Sequence, residues 1–358
     1  MNLTESFQFL NFKKRIGTKS LVVFTQQLST LIGAGLPLIK ALRALHDQLE
    51  PCALKDVVAM LANEVESGAN FSEALSHFPK VFPEFYVNMT KAGELGGMLD
   101  GILKRLSEFL DKNQKLRERI KSALMYPAFV LLTAVLILIM LMMFVIPTFT
   151  SMFSELGGAL PLPTKILIAT SDIIRKFWYL IPFIPVVLVL LYKFLIKSPG
   201  RRLVIDKIKL YIPIVGVLVQ QVAVARFART LGTLLSSGAP ILSALQTVKN
   251  TVGNEFIGRA VLKVRDSIKE GETVSGPMET SKAFPPLVVK MINIGEETGQ
   301  LDKMLIQIAD NYEEEVDVAI SGLTSLLEPL LIVFMGLVVG FIAISMFMPL
   351  FSLVKLIG

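Results

Sequence analysis

SALMYPAFVLLTAVLILIMLMMFVIPTFTSMFS, the stretch from Ser122 to Ser154, contains no Asp, Glu, Lys or Arg. A bilayer core is crossed by about 20 predominantly apolar residues in helical form, so this run predicts a membrane-spanning helix. Pro329 to Val354 is likewise uncharged and long enough to span. A third run, about Phe177 to Ile196, is interrupted by Pro182 and Pro185 and carries Lys193 near its end. About 20 residues at ~1.5 Å each still reach across, and a lysine near the end can extend its ammonium to the headgroups. The whole chain agrees: 53% of its 358 residues are hydrophobic, 18% are charged, and the mean hydropathy is +0.60, above the values of an ordinary soluble domain.

Basic residues near the span ends set the orientation, because they remain on the cytoplasmic side. Lys112, Lys115, Arg117, Arg119 and Lys121 precede the first span, and Lys193, Lys197, Arg201, Arg202, Lys207 and Lys209 follow the second. Between them, Pro147 to Lys176 offers only Lys165, Arg175 and Lys176, together with the turn-rich Gly157-Gly158-Ala159-Leu160-Pro161. Cytoplasmic flanks, a periplasmic loop and a periplasmic C-terminus are therefore expected. Met1 to Ser20 has no continuous apolar core or small-residue cleavage site, so no cleaved signal is read and the N-terminus is expected in the cytoplasm. Cys52 is the one cysteine, which precludes an intrachain disulfide and suits a reducing compartment. The net charge of +6 reads as a topology signal; no basic patch is interleaved with aromatics, so nucleic acid is not an expected partner.

Sliding the chain against itself exposes a repeat. At an offset of 203, Phe24, Leu28, Leu31, Gly35, Pro37, Ala41 and Leu42 fall on Phe227, Leu231, Leu234, Gly238, Pro240, Ala244 and Leu245. At 202, Phe82, Pro83, Met89, Gly93, Glu94, Gly97, Leu99 and Asp100 fall on Phe284, Pro285, Met291, Gly295, Glu296, Gly299, Leu301 and Asp302. The register continues into the spans, where Pro127 meets Pro329 and Pro147 meets Pro349. Apolar residues at Phe24, Leu28, Leu31 and Ile32 share one helix face, and no run alternates with the period of a strand. The expected fold is all-α: a polytopic membrane protein with three transmembrane helices and two repeated cytoplasmic six-helix lobes, each with its own core. Its expected divisions are an N-terminal segment over 1–19, lobe 1 over 20–122, spans over 123–147, 177–196 and 323–351, a periplasmic connection over 148–176, lobe 2 over 197–322 and a periplasmic tail over 352–358.

One signature points to a family. Arg119-Ile120, Ala123-Leu124, Tyr126-Pro127, Val130, Ala134, Leu141 and Val145-Ile146-Pro147 follow its pattern. So do Leu160-Pro161-Leu162-Pro163-Thr164, Ala225-Arg226-Phe227-Ala228-Arg229-Thr230-Leu231 and Gly295-Glu296-Glu297-Thr298-Gly299-Gln300-Leu301-Asp302. From about Ser20 onward the chain resembles the F component of type II secretion systems and its type IV pilus homologue PilC. The resemblance implies a platform in the bacterial inner membrane that contacts a hexameric cytoplasmic assembly ATPase, pilin or pseudopilin subunits and other inner-membrane assembly components, as a homo-oligomer in the lipid bilayer. Longer members carry an additional N-terminal segment, so a shorter type IVb pilus or competence form is the expectation here.

No chemistry is evident in the residues themselves. A Gly-x-x-x-x-Gly-Lys-Ser/Thr loop is absent, and His46 and His77 are the only histidines, so neither an ATPase cradle nor an imidazole metal site is read. No catalytic set or cofactor site is expected. A small transporter is the rival suggested by three spans and a repeat, but transporters set paired repeats within the membrane, whereas most of each repeat here is soluble.

Four groups of residues are candidates for contacts. The twice-occurring motif of Gly93, Glu94, Gly97 and Asp100, and of Gly295, Glu296, Gly299 and Asp302, admits two readings. In the structural one, Gly93 and Gly295 end a helix in left-handed geometry, and Asp100 and Asp302 enter the first turn of the next helix. In the functional one, Glu94, Glu296 and Glu297 dock the ATPase or a second protomer. Before the spans, Asp111 to Lys121 has net charge +3, including Lys115, Arg117 and Arg119, while the aligned Glu313 to Leu323 has −4 from Glu313, Glu314, Glu315 and Asp317. These stalks are either solvated faces, whose exposed pairs contribute about 0–1 kcal/mol, or surfaces that face each other or a charged partner. Glu328 stands at the membrane edge, interfacial or engaged with a subunit. Gly336 and Gly340 form a Gly-x-x-x-Gly pair that permits close helix approach.

Overall fold

The computed structural model describes residues 16–155, 161–180, 183–213 and 215–357, and none of these lies in a strand. Expectations about residues 1–15, the Gly157 to Leu160 turn, Pro182 and Gly358 lie outside the described residues.

Five helices open the described residues: α1 Thr18–Gly33, α2 Leu38–Gln48, α3 Ala53–Glu66, α4 Phe71–Ser76 and α5 Glu84–Leu95. Then α6, Leu99–Met140, runs unbroken through Pro127 and passes through one π turn, Leu141–Val145, into α7, Ile146–Glu155. After α8, Leu162–Phe177, a short 3₁₀ turn at Trp178–Leu180 leads to α9, Phe183–Ile196. The remaining helices are α10 Pro199–Tyr211, α11 Val215–Ser236, α12 Ile241–Thr251, α13 Glu255–Lys269, α14 Ser275–Ser281, α15 Pro286–Glu297 and α16 Leu301–Ile357.

Prolines mark the starts. Pro37, Pro83, Pro240 and Pro285 hold the residue ahead of α2, α5, α12 and α15 near φ −60° with extended ψ. Their fixed φ suits a helix entry and their missing N–H leaves nothing unsatisfied there. Asn254 caps α13 through its side chain, which accepts from the Phe256 and Ile257 N–H groups.

The chain divides into two compact units. The first joins the chain through Glu118 with Leu203–Val316, so both sequence-defined lobes lie in one body and share one contiguous apolar cluster. Aligned residues occupy like places within it: Phe24 packs on Phe82 at 6.1 Å between ring centroids, and Phe227 on Phe284 at 4.8 Å. Tyr86, fully buried, places its hydroxyl 3.2 Å from Thr25 Oγ1, and burial pushes that phenol well above its ordinary pKa. Polar contacts between the lobes run from Asn88 to Thr247 and from Asn250 to Glu84.

The second unit joins Arg119–Arg202 with the chain from Asp317 onward. Leu99–Ser151 and Leu301–Pro349 are each long and apolar enough to cross a membrane, and only 11% of the most apolar window of either is buried within the chain. Phe129, Met140, Phe144, Leu330, Ile332 and Leu337 point outward with no cover, the arrangement lipid stabilises and water does not. Stalk and span are therefore one helix in each case, with no break at residue 122 or 322. Nor is the last helix interrupted at 351; it continues to Ile357.

The segment expected as a periplasmic connection contains a helix among its described residues. Its helix α8 packs Leu167 against Ile146 and Ile342, residues that belong to the two long apolar helices. Together α8 and α9 form a pair bent by 60° that also meets the length and hydropathy criteria for a span. The bent pair α10 and α11 does so too, but α11 buries twelve residues in the first unit, which removes it from lipid.

Candidate functional site

The duplicated Gly-Glu turn is resolved by its hydrogen bonds. Glu94 accepts from the Phe71 and Ser72 N–H groups at 2.5 and 3.0 Å, and Glu296 accepts from Val274 and Ser275 N–H at 2.7 and 3.3 Å. Each carboxylate thus satisfies orphan donors at the start of a short neighbouring helix, α4 or α14. Gly93 and Gly295 do not end a helix in left-handed geometry. They lie within α5 and α15, where a Cβ would stand 2.8 Å from the Ile102 side chain or 3.0 Å from the Leu301 backbone. The left-handed positions are Gly97 and Gly299, at φ 66° and 67°, where any other residue is strained. Asp100 and Asp302 do enter the first turns of α6 and α16, and Asp302 accepts from Ser236 Oγ at 3.3 Å. Glu297 is exposed and accepts from Asn293 within its own helix.

Three helices build the stalk. Asp302 and Ser236, Glu313 and Arg229, and Glu315 and Gln221 are paired: as numbers rise along α16 they fall along α11, so the two run antiparallel. Arg105 donates to the Ser236 carbonyl, and Lys112 reaches Asp310 at 2.8 Å, which places α6 alongside with the direction of α16. Arg229 is the centre of this arrangement. Its side chain is 6% exposed and its guanidinium holds Asp310 at 2.5 Å and Glu313 at 2.8 Å. Burial alone would depress its pKa, but the hydrogen bonds and charges of Glu313 and Asp310 outweigh that and raise it. Burial likewise works against the Asp310 carboxylate, yet Lys112 and Arg229 bring its pKa below the usual value.

The candidate charges fall into different settings. Arg119 pairs with Asp317, while Lys115 pairs with Asp111 one turn away on its own helix, at 2.7 Å. Arg117 and Glu314 are exposed, Glu315 receives Gln221 at 2.9 Å, and Glu328 is exposed. A Cβ added at Gly336 or Gly340 would meet nothing within 4 Å, so no helix among the described residues covers that pair.

Within the second unit, buried hydroxyls sit between helices. Thr164 donates to the Ser345 carbonyl at 2.6 Å, and Ser171 donates to the Met142 carbonyl, which lies in the π turn of the first apolar helix. A π turn disturbs the regular backbone ladder, and Ser171 supplies Met142 with a partner. Sequence reading missed Arg229, Asp310 and these hydroxyls. An arginine three residues from another within the apolar Ala223 to Leu231 face is the signal that marks Arg229; single Ser and Thr residues in apolar runs give none.

An all-helical body of paired charged stalks, each continuous with a helix apolar enough to cross a membrane, defines a membrane-anchored helical scaffold. The family model for type II secretion system protein F matches twice, over residues 24–147 and 227–349, and the chain belongs to that family. It is 43% identical to the type IV pilus assembly protein PilC of Myxococcus xanthus, over 94% of this chain and 80% of the relative. It is 42% identical to PilC of Thermus thermophilus, over 94% and 83%. Type II secretion system protein F of Xanthomonas campestris is 36% identical over 100% of this chain and 88% of its own length.

Proposed function

We propose that this protein is the inner-membrane platform of a type IV pilus or type II secretion machine, a scaffold and not an enzyme, that couples a cytoplasmic hexameric ATPase to extraction and polymerisation of pilin or pseudopilin subunits. The observation that carries the reading is helix continuity: α6 and α16 each run without a break from the charged stalk into an apolar helix, which offers a displacement of the stalk a route toward the membrane. A two-copy lobe, three crossings with the α8–α9 pair as the second, and a cytoplasmic N-terminus are the accompanying topology, supported by the repeat match over two segments and by the basic flanks.

Docking of the ATPase is assigned to the exposed part of the charged body, where Glu297 and Glu314 are open, and self-association to the uncovered Gly336 and Gly340 face. Reversing Lys115, Arg117 and Arg119 to Glu should abolish pilus or pseudopilus assembly in cells while the protein still inserts in the membrane. Assembly at the normal level in that variant contradicts the reading. Substrate-dependent flux in vesicles would favour a transporter instead.

A further inference from the structure

Helix α10 carries an apolar face turned away from its own attachments. Val204, Ile208 and Tyr211 stand at i, i+4 and i+7 and are 56%, 56% and 77% exposed, so they form one stripe along the helix. The opposite side is pinned. Asp206, buried and about half a turn from the stripe, accepts from the Glu255 N–H at 3.0 Å and from Lys209 Nζ at 2.9 Å. Its carbonyl accepts from Asn254 Nδ2 at 3.3 Å, and these contacts tie α10 to the start of α13. The exit is fixed as well: Gly216 is buried at the start of α11, where a side chain would strike the Leu210 carbonyl. Rolling α10 to hide the stripe would break the Asp206 bonds and expose that carboxylate.

Two observations identify what covers the stripe. The first is continuity. Only Lys197 and Ser198 separate α10 from α9, a link that reaches at most about 10 Å, and the Arg201 guanidinium lies 5.0 Å from the centre of the Phe194 ring of α9. Where α9 completes the bent crossing begun by α8, the start of α10 is held at the headgroups; the inference rests on that reading of α9. The second is charge. On a helical wheel Arg201 borders the stripe on one side and Lys207 on the other, and neither has a carboxylate partner among the described residues; their neighbours are the rings of Phe194 and Phe256. An isologous contact with a second copy would set these cations near their own counterparts, whereas an anionic surface pairs with them. An apolar stripe between cations, ending in a tyrosine, has the chemistry of a helix lying in a membrane surface. We propose that α10 is such an interfacial helix. Val204, Ile208 and Tyr211 dip toward the acyl chains of the cytoplasmic leaflet, and Arg201 and Lys207 meet the phosphates of anionic phospholipids.

The test uses the full chain in a Cys52→Ser background, reconstituted in vesicles of phosphatidylcholine alone or mixed with phosphatidylglycerol. A fluorescent label is attached through Val204→Cys, Ile208→Cys or, in α9, Leu190→Cys. Labels at 204 and 208 should be quenched by a phospholipid bearing a nitroxide near its headgroup and shielded from aqueous iodide, and phosphatidylglycerol should increase the lipid quenching. Arg201→Gln combined with Lys207→Gln should lose that increase; an increase that survives overturns the phosphate contacts. Iodide quenching at 204 and 208 without lipid quenching overturns the interfacial helix. Shielding from both quenchers, as a second copy or another protein would give, overturns the lipid as the cover. Position 190 separates the two readings: lipid quenching there with none at 208 refutes this inference alone, and its absence at 190 refutes the crossing by α9.

Discussion

Glu94 and Glu296 show how one side chain fixes two helices. Each stands near the end of a longer helix and accepts from the first N–H groups of a short one, while Gly93 or Gly295, one residue earlier, lets the following helix pass at contact distance. Removal of either carboxylate leaves buried donors unmet. Glu94→Ala and Glu296→Ala should each destabilise the protein by about 1–2 kcal/mol, seen as a lower denaturant midpoint and faster amide exchange in α4 or α14; an unchanged midpoint contradicts this assignment. Asp310 gives a pH dependence. Its carboxylate titrates below the ordinary range in the folded state, so its contribution is fully present above its unfolded pKa, about 4, and is lost as pH falls through the lower folded value. Melting temperatures of wild type and Asp310→Asn should therefore differ at neutral pH and converge on acidification below about pH 4. At this scale the sequence motif was legible and its geometry only partly so. The aspartates at 100 and 302 could be placed in first turns because helix-start chemistry is local, whereas the exchange of roles between Gly93 and Gly97 depends on the crossing of a helix that no local pattern describes.

At the scale of the elements, the stalk is a three-helix arrangement and not a pair. The complementary charge of Asp111 to Lys121 and Glu313 to Leu323 was readable, and Lys112 with Asp310 and Arg119 with Asp317 are pairs separated by the same 198 residues. What the charge pattern did not reveal is α11, which inserts Arg229 among the acids because its apolar face belongs to the core of the same unit. Arg119 and Asp317 are exposed enough that their pair adds at most about 1 kcal/mol to stability, so a role for it must appear in assembly. Arg119→Asp and Asp317→Arg should each reduce surface pili or secretion, and the double swap should restore them; a double variant no better than either single one contradicts mutual pairing. Helix α8 teaches the complementary lesson. Its segment was read as a connection, and Thr164, Leu167 and Ser171 set it against the two long apolar helices, contacts that follow from tertiary packing alone.

For the molecule as a whole, helical class, the paired apolar helices and family membership were all legible, because uncharged runs and a repeat at a fixed offset survive any detail of packing. The union of the two lobes in one unit was not, since each lobe alone has the length of a domain and the sequence does not state which apolar surfaces meet. That union matters for the proposed function: the stalk parts of α6 and α16 before residues 119 and 317 belong to the same unit. The direct measurement is photocrosslinking in cells from a probe at exposed Glu297 in the body and another at Leu337 in the last apolar helix. The account predicts adducts with the assembly ATPase from position 297 and with pilin or pseudopilin from position 337; pilin adducts from position 297 with none to the ATPase would contradict it.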